Sequence, residues 1–125
     1  RVMGHESKCR NVHGHRYTIE ITCQAPLDSI GRVIDFGVVK VRIGDWLDEY
    51  LDHGYIHHPE DSIGISLAEQ GHKTFSMPPN LGEPTAENLS ELIALKSQLL
   101  LGEKFTVIRV RIYETPNCWA DWDIG

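Results

Sequence analysis

The sequence predicts a single α+β domain, an antiparallel β-sheet with two helices packed on one face. Three observations carry that expectation. Tyr17, Ile19, Ile21 and Cys23 alternate with Thr18, Glu20 and Thr22, the period of a half-buried strand. Two stretches, 39–51 and 85–101, place apolar residues at helical spacing. Residues 105–114 then return to a period of two. At 125 residues the chain suits one domain, residues 1–125, and is too short for two conventional ones.

Taken in order, residues 1–15 are polar and rich in His, Gly and charge, and read as a loop running into the first strand. Pro26, Asp28, Ser29 and Gly31 supply turn chemistry after it, and Val33 with Ile34 forms a short apolar segment before Asp35. Asp35 is placed to cap a helix, its carboxylate accepting from first-turn N–H groups. Val39, Ile43, Trp46, Leu47, Tyr50 and Leu51 form that helix's apolar stripe, and Asp52-His53-Gly54 closes it. Residues 57–84 form a long connection with a short helix expected within Ile63–Gly71; His57 and His58 are expected to be solvated. Thr85 opens the second helix as N-cap, Leu89, Leu92, Ile93, Leu99 and Leu100 form its apolar face, and Gly102 stops it. In the strand that follows, Ile108, Val110 and Ile112 share a side with Glu114, opposite Arg109 and Arg111. A last short strand runs over 119–122. So few strands leave a thin core and open edges, and pairing with other copies of the chain is expected.

Composition excludes several functions. Lys and Arg total 12 against 18 Asp and Glu, a formal charge of −6 with no basic run, which suits no nucleic-acid partner. The longest apolar stretches fall well short of the ~20 residues of a membrane helix, so no membrane span is expected. Cys9, Cys23 and Cys118 lack the spacing of a disulfide framework, and no secretory signal is legible, which points to a reducing, cytoplasmic compartment. Phosphate-cradling and nucleophile-elbow glycine motifs are absent. His5-Glu6-Ser7-Lys8-Cys9 has Cys where the zinc motif H-E-x-x-H needs its second His.

The residues that could carry chemistry are few. His13-Gly14-His15 enters a strand, and side chains two apart on a strand share a face. Two imidazoles so placed can converge on one ion, or can be two surface histidines at a strand end. A catalytic zinc commonly takes three protein ligands, so a third must come from elsewhere. Cys9 lies between Lys8 and Arg10, whose charges favour the thiolate; it reads as nucleophile, base or ligand, or as a small apolar filler. Asp52 stands beside His53 at a helix end, either an ordinary helix terminus or a carboxylate orienting a proton-transferring imidazole. Glu114 shares a side with three aliphatic residues, where an unpaired charge is costly. Either the strand has ended there, or the carboxylate accepts from a ring with paired N–H donors, such as a pterin or guanine edge.

Cys9-x-x-x-His13-Gly14-His15, Val33-Ile34-Asp35-Phe36, Leu51-Asp52-His53, Pro84-Thr85-Ala86-Glu87-Asn88 and Glu114-Thr115 follow one another along the chain. With these motifs in this order the chain resembles the 6-pyruvoyl-tetrahydropterin synthase superfamily, and most closely its 6-carboxy-tetrahydropterin synthase branch. The resemblance implies a tunnelling fold in which sheets join through strand edges into a barrel, commonly as a homohexamer. It implies a Zn2+ cofactor held by three histidines, with His13 and His15 as two of them. Cys9 matches the catalytic base or acid, Asp52 and His53 a proton relay working across a subunit interface, and Glu114 the pterin anchor; Thr85 lies where the family contacts the ring. The third ligand normally sits in an Ala-His-Arg segment, and Arg1-Val2 looks like the text just after it, so the first strand and that ligand are expected to precede Arg1, with His5 a possible substitute. The implied activity converts 7,8-dihydroneopterin triphosphate to 6-carboxy-5,6,7,8-tetrahydropterin with loss of acetaldehyde and triphosphate, toward 7-deazaguanine and queuosine biosynthesis. The alternatives are the pyruvoyl-forming reaction, a non-catalytic pterin- or purine-binding oligomer, and another enzyme of the same fold that needs no metal.

Overall fold

The computed structural model describes residues 1–33 and 35–125; Ile34, which was expected to extend an apolar segment with Val33, lies outside the described residues. The chain is α+β. Strand β1 (Thr18–Gln24) leads to helix α1 (Phe36–Tyr50), then come β2 (Tyr55–His57), α2 (Ser62–Glu69), β3 (Thr74–Ser76), α3 (Ala86–Leu101), β4 (Thr106–Thr115) and β5 (Cys118–Asp123). β1, β4 and β5 form an antiparallel sheet in the order β1-β4-β5, and β2 pairs with β3 in a separate parallel ribbon. A short 3-10 turn at Lys8–Arg10 precedes the sheet.

The sheet positions everything else. Ile19 pairs with Ile112 and Ile21 with Val110, which turns a row of aliphatic side chains toward α3. Val107, Val110 and Ile112 are fully buried against Leu89, Leu92, Ile93 and Ala94 of that helix. Arg109 and Arg111 take the other face, paired across the hairpin with Asp123 at 3.0 Å and Asp121 at 2.7 Å. α1 packs beside α3 and contributes Ile43 to the core, with Val39, Trp46, Leu47 and Leu51 half-buried around it.

Each of the three α-helices among the described residues begins on a side chain that accepts from the first turn. Asp35 accepts from the Gly37 N–H, Asp61 from Ile63 and Thr85 from Asn88, each filling an orphan donor of its helix. The expected helix within residues 63–71 is a third α-helix, beyond the two that the helical spacing called for.

Four expectations are corrected. Ile108 is not on the core side of β4, because a bulge opposite Thr22–Cys23 shifts the phase and buries Val107 instead. Leu99 is 76% exposed: the buried side of α3 runs through the smaller Ser90, Ala94 and Ser97, which let the helix lie close on the sheet. The β2–β3 ribbon fills what had read as a loop. His57 is buried rather than solvated, its Nδ1 2.7 Å from the His58 carbonyl and its ring stacked on Tyr55.

Candidate functional site

The chain approaches β1 in an extended path that sets His13 and His15 on one side. Their Nε2 atoms face each other at 3.1 Å, with the ring planes perpendicular. Ligands at the tetrahedral corners around a zinc ion, at usual Zn–N distances, lie about 3.3 Å apart. The His13 Nδ1 is 2.7 Å from the Asn11 carbonyl, which accepts from Nδ1–H and leaves the Nε2 lone pair facing His15. Geometry and tautomer therefore suit a divalent ion shared by the two rings. Among the described residues no group of three or more His, Cys, Asp and Glu side chains stands ready for a metal.

Cys9 sits half-buried in the 3-10 turn, where its carbonyl accepts from the Val2 N–H at 2.9 Å and folds the loop back. Across the cleft, α1 ends in a way that projects His53. Leu51 and Asp52 both donate to the Leu47 carbonyl, Gly54 donates to Leu51, and His53 takes a left-handed backbone with φ of 59°. Such a conformation is uncommon outside glycine and turns the chain sharply. Lys73, just before β3, donates to the Asp48 and Asp52 carbonyls, placing a cation at the negative end of the helix. Asp52 Oδ2 lies 2.8 Å from His53 Nδ1 and orients the imidazole, whose side chain is 91% exposed.

Glu114 occupies an irregular step in the sheet. On β5, Trp119 pairs with Tyr113 and Cys118 with Thr115, so Glu114 is the residue left without an opposite number. A bulge of this kind redirects a side chain and often stands beside a binding site. The carboxylate is half-buried at the end of the Val110–Ile112 row, on the same face, so the strand has not ended there.

These parts meet in one cleft of about 710 Å³, whose walls include Cys9, His13, His15, Asp52, His53 and Glu114. Thr85 is not among its walls. Its hydroxyl is engaged as the N-cap of α3, 3.1 Å from the Asn88 N–H, and its neighbour Pro84 meets the cleft instead. His5 does not line the cleft either; its Nδ1 accepts from the Ser7 N–H.

Sequence reading missed the groups that brace the walls. Asp61 is fully buried and accepts from Arg1 at 2.7 Å, Tyr55 at 3.0 Å and the Ile63 N–H at 3.0 Å. Burial pushes its carboxyl up, but these hydrogen bonds and the Arg1 charge outweigh it and bring the value down to about 2. Burial, with Asp61 adding to it, pushes the Tyr55 phenol up to about 12. Arg1 and Tyr55 both line the cleft, so Asp61 ties two of its walls together. Tyr17 was read as a strand residue and lies in the cleft as well, its phenol pushed to about 12 by burial and then by the charge of Glu114. Its spacing of two from His15 was the available signal.

A family model described as 6-pyruvoyl tetrahydropterin synthase matches residues 1–124. A curated 6-carboxy-5,6,7,8-tetrahydropterin synthase of Rickettsia felis is 39% identical over 126 residues, covering 97% of this chain and 89% of that protein. Among solved structures, an uncharacterized protein of Wolinella succinogenes superposes with a TM-score of 0.73 at 20% identity, covering 100% of this chain and 91% of its own. A 6-pyruvoyltetrahydropterin synthase of Plasmodium vivax gives 0.63 at 16% identity, covering 88% and 79%. The two structures speak to the fold alone.

Proposed function

This chain belongs to the 6-pyruvoyl tetrahydropterin synthase family, and we propose that it is a zinc-dependent lyase making 6-carboxy-5,6,7,8-tetrahydropterin from 7,8-dihydroneopterin triphosphate, with release of acetaldehyde and triphosphate. The observation that carries this reading is the gathering of Cys9, His13, His15, Asp52, His53 and Glu114 around one cleft from three separate stretches of sequence. The carboxy-forming outcome is favoured over the pyruvoyl-forming one by the curated relatives at 37–39% identity, which are named for the former. The product then feeds 7-deazaguanine and queuosine synthesis in the cytoplasm.

His13 and His15 would hold the metal through Nε2. When bound, zinc supplies Lewis acidity, lowering the pKa of a substrate hydroxyl and polarising the side chain under attack. The chain's own residues do the rest. Glu114, bent out of the sheet ladder, accepts from the paired N–H groups of the pterin ring, a bidentate contact to an ionised acceptor. Cys9, in a turn flanked by Lys8 and Arg10, takes a proton from the substrate side chain. Asp52 accepts from His53 Nδ1–H, which leaves the Nε2 lone pair to take up a proton and pass it back to the substrate. The aliphatic wall of Ile19, Leu89, Ile93 and Ile112 keeps bulk water from one side of the reacting atoms.

His53 stands well out into solvent on an isolated chain. Assembly through the free edges of β1 and β5 into a barrel, as a hexamer, would cover such a group and set it to work at a subunit boundary.

Incubation of the zinc-loaded protein with 7,8-dihydroneopterin triphosphate tests the proposal. The expected products are the carboxylated tetrahydropterin, acetaldehyde and triphosphate. Triphosphate release without the carboxylated pterin would assign the pyruvoyl-forming reaction, and ring binding without turnover would leave a binding protein.

A further inference from the structure

His13 and His15 are not held alike. His13 is tied through Nδ1 to the Asn11 carbonyl. His15 has a single hydrogen-bond partner among the described residues, the Nε2 of His13 itself. A histidine that ligates a metal almost always has its ring oriented by a second group, and for His15 no polar group does so. What touches it instead is Tyr17. The two rings lie edge to face, centroids 5.6 Å apart and planes at 62°. Tyr17 packs against the hydrophobic core and lines the same cleft as the imidazole pair and Glu114. It stands one position before the Thr18–Tyr113 pair that opens the β1–β4 ladder.

The geometry points to Tyr17 as the positioning residue of the imidazole pair: its ring, fixed by the core, sets the His15 rotamer so that the two Nε2 atoms converge. The assignment rests on reading His13 and His15 as metal ligands. The ring edge does this work and the phenol hydroxyl does not, which separates Tyr17→Phe from Tyr17→Leu.

Zinc affinity is measured by competition with a chromogenic chelator on the full chain, alongside His15→Ala. Tyr17→Phe is expected to bind zinc as the parent does, whereas Tyr17→Leu loses affinity by about 10–100-fold, the range for removing a group that orients a ligating histidine. In the metal-free parent, through-space NMR contacts between the His15 and Tyr17 ring protons are expected, and their absence overturns the assignment whatever the Leu variant's stability. Equal losses in the Phe and Leu variants overturn it too, by moving the role to the hydroxyl. If His15→Ala loses zinc and Tyr17→Leu does not, Tyr17 alone is misassigned. If His15→Ala also retains full affinity, the metal reading fails and takes this inference with it.

Discussion

At the scale of single residues, the proposed reaction divides labour between groups that would meet the substrate and groups that hold them in the cleft. Cys9→Ala should lower turnover by about 10²–10⁴-fold, the usual contribution of a positioned proton-transfer group, while pterin binding followed by fluorescence persists. Unchanged turnover would remove Cys9 from the mechanism. Glu114→Gln keeps the shape but replaces an ionised acceptor with a neutral amide, so ring affinity should fall by about 10-fold or more. Asp61 makes a different prediction. Its folded-state pKa lies below the ordinary carboxylate value, so its stabilisation is complete above the unfolded value and is lost as pH falls through about 2. The Tm gap between the parent and Asp61→Asn should therefore be full at about pH 7, narrow below about pH 4 and close near pH 2. A gap independent of pH would mean the carboxylate charge is not what Arg1 and Tyr55 hold. Histidines two apart and a carboxylate on an aliphatic side could be read from the chain because both are local patterns. Asp61 could not, since its partners Arg1 and Tyr55 stand sixty and six residues away and nothing periodic links them.

Among the elements, legibility followed length. β1, α1 and α3 each span two or more periods of their pattern, and their caps at Asp35 and Thr85 lie where side-chain chemistry demands them. β2 and β3 have three residues apiece, too few to show a period, and exist because each pairs with the other around α2. The bulges near Ile108 and at Glu114 were equally silent, because one extra residue in a ladder is settled by the partner strand. The β2–α2–β3 unit has a single tight joint. A Cβ at Gly64 would clash with the buried His57 ring, which lies directly on the α2 backbone. Gly64→Ala should cost about 1–3 kcal/mol, the range for overpacking a filled interior, read as a lower midpoint in urea. A midpoint equal to or above the parent's would show that the ring swings aside freely. Lys73 joins this unit to the end of α1, so loosening it should be felt at Asp52 and His53.

For the whole molecule, the family and the α+β arrangement were within reach of the sequence because ordered motifs and strand–helix order are properties of the entire chain. The proposed assembly rests on the family resemblance and on open strand edges. Val12, Leu27, Ile30, Phe36, Trp119 and Ile124 are large apolar side chains left in solvent by the single chain, Trp119 on β5 itself and Ile124 just after it. Native mass spectrometry should give a hexamer, and a charged residue in place of Trp119 should weaken it; a monomer at micromolar concentration would sink the barrel reading. No described helix is long and apolar enough to cross a membrane. One consequence belongs to the step at Glu114, where the β4–β5 hairpin forgoes a regular pairing to aim a carboxylate inward. A smoother hairpin would be the sturdier one, so if Glu114 anchors the ring as proposed, selection for robustness and selection for catalysis pull this position in opposite directions. Heat-hardened variants of this protein should then accumulate their changes elsewhere, and any that straighten residue 114 should emerge tougher and inert.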